Sequence, residues 1–390
     1  MRFRHPDGST VHVAYCTNVH PADTLAGVVA ALDRYAAPVR GTLGVRRLGI
    51  GLWLARDAVS ELLAEPGGVR RLAAALADRG LEVVTLNAFP YRAFGAEVVK
   101  GAVYHPDWTT VERLRYTLDC ATVLAGLLPG DAVYGSVSTL PLAWREPWDG
   151  GRREAAAKQL AELGDGLAEL AARTGREVRV GLEPEPGCVV ETTAEAAGRL
   201  AGPAAASGGR LGVCLDACHL AVAFEEPAAA VDRLAAAGLP VVKAQVSCAL
   251  EAGGGDAARA ALRGFVEPRY LHQVRTPTAG GLAGTDDLDE ALDGGLPDGD
   301  APWRVHFHVP LHAAPAEPLR STSESLIRTL EVLVGGPRPL TTHLEVETYT
   351  WQVLPPGQRP AGDADLVAGI AAELSWTRDR LRGLGLEEVA

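Results

Sequence analysis

Short apolar runs and longer amphipathic segments alternate along the chain. Eight of the apolar runs have the length of buried strands, at 11–17, 46–54, 81–87, 132–138, 178–183, 211–216, 240–247 and 342–348. Segments rich in Ala, Leu, Arg and Glu fill the gaps and predict helices at about 23–37, 57–79, 108–127, 151–174, 192–206, 227–237, 318–334 and 363–383. Nearly continuous apolar strands that alternate with helices are typical of a parallel sheet covered by helices.

Eight strand–helix units are the number that closes a (β/α)8 barrel, so we predict a TIM barrel of the α/β class. A doubly wound open sheet is the alternative. That fold usually carries a Gly-rich phosphate-binding turn after its first strand, whereas the sequence CTNVHP stands there in this chain. The run 304–309 is a candidate for a ninth strand.

We expect one domain over 1–390 with two insertions on its connecting loops. The insertion at 88–108 follows the third strand and carries five aromatic residues. Because βα loops form the active face of a barrel, this insertion should lie beside the active site. The insertion at 275–303 is rich in Gly, Asp and Pro, which predicts a loop on the surface.

The overall composition limits the classes of partner. Hydrophobic residues make up 47% of the chain and charged residues 22%, which allows a sizeable core. A formal net charge of −12 argues against broad affinity for nucleic acid, which requires a basic surface. The N-terminal stretch has no apolar signal-peptide core, and no run reaches the roughly 20 apolar residues of a membrane span, so we expect a cytoplasmic protein. The six cysteines form no CxxC pair and are expected to be buried thiols, and the sequence leaves homo-oligomerisation open.

Carboxylates and imidazoles recur where the later strands end. Glu183 and Glu185 follow the fifth strand, and Asp216 ends the sixth, with His219 in the turn beyond it. The strand ends of a barrel meet at one face, so these side chains should converge there. Glu183 lies closer to its strand than Glu185 and is the preferred candidate.

The two-residue period of a strand places polar residues on one face of each remaining segment. They are Lys243 and Gln245 on the seventh strand, His306 and His308 on the segment after it, and His343, Glu345 and Glu347 on the last strand. Each pattern alone is more often structural, because a Glu at a strand end is usually solvated or caps a helix, and Asp-x-x-His or His-x-His arises by accident. Their coincidence favours a metal site, since converging carboxylates are costly without a cation. The mixture of oxygen and nitrogen ligands suits Mn²⁺, Mg²⁺, Co²⁺ or Zn²⁺.

The pattern resembles the xylose isomerase-like TIM-barrel superfamily, which includes sugar isomerases and epimerases and the endonuclease IV group. The resemblance rests on Leu182-Glu183, the Asp216-Ala-Cys-His219 string and Glu347-Thr348. It implies metal ligands at these strand ends. Gln245 stands where the superfamily usually has a His, which changes the ligand set that the resemblance implies. The His306-x-His308 string is similar to an extra His-containing segment of some members.

More narrowly, the chain resembles the EboE-type metabolite-traffic family. The motifs that carry this resemblance are YCTNVHP at 15–21, NAFPY at 87–91, VYHPDW at 103–108, CLDACH at 214–219 and EVETYTW at 345–351. That family is implicated in handling precursors of secondary metabolites, and its members are described as sugar isomerase-like. The resemblance implies no particular reaction.

The function we expect is that of a divalent-metal-dependent isomerase or epimerase of a sugar, cyclitol or related polyol. Glu183 and Glu347 are the expected catalytic bases. The candidate metal ligands are Glu183, Asp216, His219, Gln245, His306, His308 and Glu347. The candidate substrate-binding residues are His20, Asn87, Tyr91, Tyr104, Trp108, Lys243, Glu345 and Trp351, with Phe89 and Phe94 as further wall residues. Two alternatives are a multi-metal phosphoesterase of the endonuclease IV type and a non-catalytic metabolite-binding protein.

Overall fold

Eight parallel strands close into a barrel in the computed structural model, which describes residues 1–297 and 299–389. Position 298 of the predicted 275–303 insertion and position 390 of the predicted domain lie outside the described residues. The described strands are β1 (Arg2–Arg4), β2 (Thr10–Cys16), β3 (Leu48–Trp53), β4 (Leu81–Asn87), β5 (Gly135–Thr139), β6 (Val178–Leu182), β7 (Leu211–Asp216), β8 (Val241–Val246), β9 (Leu250–Ala252), β10 (Val274–Thr278), β11 (Gly281–Thr285), β12 (Trp303–Val305), β13 (Leu319–Ser321), β14 (His343–Val346) and β15 (Glu387–Val389).

Helices cover the outside of this barrel. The described α-helices are α1 (Leu25–Ala31), α2 (Ala37–Leu43), α3 (Arg56–Ala64), α4 (Gly68–Asp78), α5 (Val111–Leu127), α6 (Gly150–Thr174), α7 (Thr193–Ala206), α8 (Ala217–Val222), α9 (Pro227–Ala236), α10 (Asp256–Leu262), α11 (Leu288–Glu290), α12 (Ser323–Val334) and α13 (Asp363–Gly383). Leu32–Ala36 and Ala291–Gly295 are π-helical. Among the described helices, none is long and apolar enough to cross a membrane.

The barrel runs from β2 through β8 in chain order and is closed by β14. β14 pairs in parallel with β8 on one side and with β2 on the other. The predicted α/β TIM-barrel fold is therefore confirmed. β1 and β15 add an antiparallel extension beside β2.

Two sequence predictions differ from the structure for identifiable reasons. The predicted helix at 57–79 is two helices, α3 and α4, because Pro66 lies between them and Gly67 has a left-handed φ of 78°. The candidate ninth strand at 304–309 is not part of the barrel. Its first residues form β12, which belongs to a second sheet, and the chain after Val305 is irregular.

That second sheet is an antiparallel insertion between β8 and β14, with the strand order β11-β10-β12-β9-β13. The predicted 275–303 insertion contributes β11, α11 and most of β10 to this region. Ion pairs join the sheet region to three βα loops of the barrel. Their partners are Lys100 with Asp287, Arg145 with Asp286, and Arg275 with Glu191. The insertion is thereby held over the carboxyl end of the barrel.

The interior of the barrel is charged, unlike the layers of branched apolar residues common in this fold. The Lys243 Nζ atom lies 2.6 Å from Glu345 Oε2, and both side chains are fully buried. A Cβ atom on Gly51 would lie 2.3 Å from the Glu345 carboxylate. Glycine at this position on β3 therefore leaves the space that the carboxylate occupies.

Candidate metal centre and active site

Three carboxylates meet at the carboxyl end of the barrel. Glu183 follows β6, Asp216 ends β7 and Glu347 follows β14, so each is positioned by the strand that precedes it. One oxygen from each lies within 4.8 Å of the others, and all three side chains are buried. Three negative charges so close together in a buried site repel each other strongly unless a cation or protons neutralise them.

Hydrogen bonds fix two of these carboxylates through one oxygen only. Glu347 Oε1 accepts from the Nδ2 atoms of Asn18, at 2.7 Å, and Asn87, at 3.0 Å. Asp216 Oδ1 accepts from Ser247 Oγ at 2.7 Å and from the backbone N–H groups that open α8. Asp216 Oδ2 and Glu183 Oε2 are buried and have no hydrogen-bond partner among the described residues. Buried polar atoms without partners are costly, and ligation of an ion would satisfy them.

The pKa values reflect this crowding. Burial and the charges of Glu347 and Asp216 raise the pKa of Glu183 well above its ordinary value. Burial, together with Asp216 and Glu345, raises the pKa of Glu347 to about 8. Burial opposes the ionisation of Asp216, but His219, His308 and the hydrogen bond from Ser247 lower the pKa of this carboxyl. Burial and mutual repulsion thus oppose the ionisation of Glu183 and Glu347, whereas hydrogen bonds and neighbouring imidazoles favour the ionised form of Asp216.

Three histidines adjoin the carboxylates, and each has its tautomer fixed by its Nδ1 atom. His219 Nδ1 donates to the Pro184 carbonyl at 2.9 Å, and His308 Nδ1 donates to the Glu347 carbonyl at 2.6 Å. His306 Nδ1 donates to Gln273 Oε1 at 2.7 Å. In the neutral form, all three Nε2 atoms therefore carry lone pairs that could bind a metal ion. Imidazoles that bind metals are usually oriented in this way, by a hydrogen bond from the other ring nitrogen.

The three Nε2 atoms point into one small volume beside Asp216. His219 Nε2 lies 2.9 Å from His306 Nε2, and Asp216 Oδ2 lies 3.8 Å from the Nε2 atoms of both His219 and His308. Two lone pairs at that separation repel unless a proton or a metal ion lies between them. Burial lowers the pKa of His306 well below its ordinary value and that of His308 to about 4, so protonation of either of these two rings is disfavoured.

The donors fit a divalent ion. They form two adjoining groups that share Asp216, one of carboxylates with Glu183 and Glu347, and one of imidazoles with His219 and His308. Carboxylate oxygens suit Mg²⁺ and Mn²⁺, and a mixture of imidazole and carboxylate suits Zn²⁺, Co²⁺ and Mn²⁺. Cys218 lies near the imidazoles of His306 and His308, but burial raises the pKa of its thiol well above the ordinary value.

A cavity lined by aromatic and acidic side chains opens beside this centre. Its described lining contains seven of the predicted site residues, namely Asn87, Tyr104, Glu183, His219, His306, His308 and Glu347. Phe89 and Phe94 from the 88–108 insertion also line it, so that loop does reach the cavity. Asp216 lies directly against the centre through its short distances to Glu183, Glu347 and the histidines.

Four predicted substrate-binding residues lie outside the described lining and pack elsewhere. The His20 ring stacks on Tyr35 with centroids 4.6 Å apart, and the Tyr91 ring packs against Tyr116 at 5.0 Å. Trp108 donates to the Leu140 carbonyl, and Trp351 donates to Glu373. Their aromatic surface is used in the core or beneath the loops.

Three further predicted residues lie within the barrel rather than on the cavity. Lys243 and Glu345 are paired with each other. Gln245 is aligned with Asp216 on one neighbouring strand and with Glu345 on the other. Both polar atoms of its amide are buried without a hydrogen-bond partner among the described residues.

Some residues of the site were not selected from the sequence. Asn18 donates to Glu347 and follows a barrel strand, which is the signal that would have found it. Ser247 donates to Asp216; the two-residue period places it on the same face as Lys243 and Gln245, but it was not chosen as a site residue. Glu185 was passed over for Glu183, yet it lines the cavity and accepts from Tyr104 Oη at 2.7 Å. Tyr270 lies in the insertion, where no strand period identifies it.

Comparisons with known proteins agree with this architecture. The family described as "Xylose isomerase-like TIM barrel" matches residues 49–251. A search of curated proteins gave no match.

Three solved structures illustrate the likeness of the fold. A proposed sugar phosphate isomerase/epimerase from Anabaena variabilis is 14% identical, covers 96% of this chain and 100% of its own, and has a TM-score of 0.51. D-allulose 3-epimerase from Methylomonas sp. is 12% identical, with coverage of 95% and 98% and a TM-score of 0.50. A D-psicose 3-epimerase crystallised in the presence of D-fructose is 10% identical, with coverage of 95% and 99% and a TM-score of 0.50. At these identities the likeness concerns the fold alone.

Proposed function

We propose a function from the premise that the chain belongs to the xylose isomerase-like TIM-barrel family. The protein is a divalent-metal-dependent isomerase or epimerase that acts on a sugar, cyclitol or related polyhydroxylated metabolite. The observation that carries this proposal is the cluster of Glu183, Asp216 and Glu347 beside the cavity, in which Asp216 Oδ2 and Glu183 Oε2 have no hydrogen-bond partner among the described residues. D-allulose and D-psicose 3-epimerases among the structures of the same fold motivate the reaction class.

The ligand set follows from the donors. Glu183, Asp216 and Glu347 would hold the ion, with His308 and His219 on the side of Asp216 and Gln245 as a further candidate. When bound, a divalent ion supplies Lewis acidity that makes a C–H beside a carbonyl more acidic. Asn18, Asn87 and Ser247 orient the carboxylates from outside, as outer partners do in metal sites.

Glu183 and Glu347 are the proposed acid and base. They enter the site from β6 and β14, which β7 and β8 separate in the barrel, so they approach from different directions. Their raised pKa values suit groups that take up and return a proton near neutral pH. Removal of a proton by one carboxylate and its return by the other would change the configuration at a carbon.

Aromatic rings form part of the cavity wall. Phe94, Tyr270 and Tyr349 come from three separate segments and pack with centroids 4.9–5.5 Å apart. Excluding water strengthens electrostatic interactions at the carboxylates and protects a carbanion-like state from side reactions.

Exchange of substrate protons with solvent tests the proposal. Metal-loaded protein in D₂O should incorporate deuterium at a carbon next to a carbonyl in at least one member of a sugar and cyclitol panel, followed by NMR. The Glu183→Gln and Glu347→Gln variants should lose this exchange, while Glu373→Gln, a change to a buried carboxyl outside the cavity, should retain it. Absence of exchange across the panel at full metal occupancy, or exchange that persists in both site variants, would contradict the proposal.

The imidazole group favours one alternative. A second donor group beside the carboxylates is what a multi-metal phosphoesterase of the endonuclease IV type would use. Elemental analysis of the purified protein separates the two functions, since the isomerase requires one or two ions and the phosphoesterase two or three. Hydrolysis of a phosphate ester panel without C–H exchange would favour the phosphoesterase.

A place in the EboE-type metabolite-traffic family, and in secondary metabolism, is a narrower proposal. It rests on the sequence motifs, and Asn87, Tyr104, His219 and Glu347 from those motifs line the cavity. A non-catalytic role in carrying a metabolite would show as tight polyol binding with no exchange and no hydrolysis.

A further inference from the structure

We propose that the substrate of this cavity carries an apolar, ring-sized group and no phosphate. This inference rests on the proposed function, because it assumes that the polyol end of the ligand lies at the carboxylates. It is supported by the aromatic residues of the cavity wall and by the charges of the described residues that line the cavity.

Aromatic rings form much of the cavity wall, and two of the three tyrosine hydroxyls among the lining residues are already hydrogen-bonded. Tyr270 donates its hydroxyl to the Phe94 carbonyl at 3.3 Å, and Tyr104 donates to Glu185 while accepting from Gln273 at 2.9 Å. These two hydroxyls are engaged within the protein, and their rings remain for contact. Burying a polar group of the ligand against such a wall without a hydrogen-bond partner weakens binding, whereas burying an apolar group strengthens it.

The aromatic rings that line the cavity pack in two groups. Phe94, Tyr270 and Tyr349 form one continuous aromatic cluster, with Phe89 and Tyr104 packed at 6.0 Å as a second pair. Aromatic pairs prefer edge and offset contacts, which a ring-sized ligand group could extend.

Charge argues against a phosphate on the substrate. Three carboxylates line the cavity, those of Glu183, Glu185 and Glu347. Among the described lining residues, Lys100 is the one Lys or Arg, and its ammonium is paired with Asp287. Phosphate recognition normally uses Arg or Lys clamps or a free helix N-terminus. The N-terminus of α8 is capped by Asp216 itself.

Three hydroxamates that share one chelating group test this inference on Mn²⁺-loaded, full-length protein. Acetohydroxamate is the small probe, benzohydroxamate adds a ring, and phosphonoacetohydroxamate adds a phosphonate. By calorimetry, benzohydroxamate should bind at least about tenfold more tightly than acetohydroxamate, because its ring is buried against the aromatic wall. Phosphonoacetohydroxamate should bind no more tightly than acetohydroxamate.

Single substitutions test which residue produces the preference for benzohydroxamate. Phe94→Ala should remove most of the preference for benzohydroxamate and leave acetohydroxamate binding nearly unchanged. Tyr91→Ala is the matched control, since it removes an aromatic ring from the same loop that packs on Tyr116 instead. The comparison of the three probes on the unaltered protein stands even if a variant fails to fold.

The outcomes separate this inference from the proposed function. Equal binding of the acetyl and benzoyl probes, or tightest binding of the phosphonate, would overturn the inference. If none of the three probes binds the metal-loaded protein, the cavity holds no metal ion that a ligand can reach, and the inference is wrong. Tighter binding of benzohydroxamate without C–H exchange on any polyol would support the inference and contradict the proposed isomerase activity. The two results can differ because these probes report binding without turnover.

Discussion

Two layers of buried carboxylates in the same barrel differ in how their charge is balanced. In the lower layer, Glu345 lies 2.6 Å from the ammonium of Lys243. In the upper layer, Glu183, Asp216 and Glu347 crowd together, and in the described part of the chain no Lys or Arg forms an ion pair with them. Both layers carry the cost of burying charge. The chain thus supplies its own cation to Glu345, whereas among the described residues it supplies no Lys or Arg partner to the three carboxylates that we propose as metal ligands.

Removing the cation of the lower layer should produce the largest effect. Lys243→Met leaves Glu345 buried and unpaired, so the free energy of unfolding should fall by about 3–5 kcal/mol. Urea denaturation of the metal-free protein measures this change. The double variant Lys243→Met with Glu345→Leu is the control and should recover most of the loss. A single variant that is as stable as the unaltered protein would show that the lower pair is not structural.

A carboxylate of the upper layer should behave in the opposite way. Asp216→Asn should weaken Mn²⁺ binding by more than about 100-fold, since loss of even an outer partner costs 10–100-fold. The metal-free protein should keep most of its stability, because the amide oxygen can still accept from Ser247 and from the backbone N–H groups that open α8. Calorimetric titration and thermal unfolding measure the two quantities. Glu185→Gln, a carboxylate on the same cavity but outside the cluster, is the matched control.

An outer partner of the upper layer should have an intermediate effect. Ser247→Ala removes the hydroxyl that donates to Asp216 Oδ1 at 2.7 Å, so Mn²⁺ affinity should fall by about 10–100-fold. The backbone donors of α8 still hold the carboxylate, which is why the loss should be smaller than for Asp216→Asn. Affinities equal to that of the unaltered protein would mean that Ser247 does not orient this ligand.

The change in metal affinity per pH unit and per released proton should be the smallest of these effects. The pKa of Glu347 is raised to about 8 and that of Glu183 is also raised, so below pH 8 both carboxyls must release protons to bind an ion. Affinity should therefore rise by about tenfold per pH unit for each proton released as the pH increases toward 8. Titrations at pH 6 to 9 in buffers of different ionisation enthalpy count the protons. Affinity that is independent of pH below 8 would show that Glu347 is already ionised or is not a ligand.

Much of the fold was accessible from the sequence because parallel barrel strands are buried on both faces. The strands β4 and β7 match their predicted bounds, and α13 matches as well. The insertion was not accessible in the same way. The strands β9, β12 and β13 have three residues each, too few for a period, and their pairing is set by distant segments.

The site residues also divide into those that the sequence predicts and those that it does not. Glu183, Asp216 and Glu347 could be selected because each follows a strand whose register fixes its direction. His306 and His308 were expected to share one side of a strand, but they lie in irregular chain after β12. Their rings converge because Gln273 and the Glu347 carbonyl bind the Nδ1 atoms, contacts that no local pattern encodes.

The most direct measurement is an anomalous difference map from crystals soaked in Mn²⁺. The account predicts a peak within ligand distance, about 2 Å, of oxygens from Glu183, Asp216 and Glu347. No peak at these carboxylates when soaking reaches saturation, or one only elsewhere on the protein, would contradict the claim that these buried charges share a bound cation.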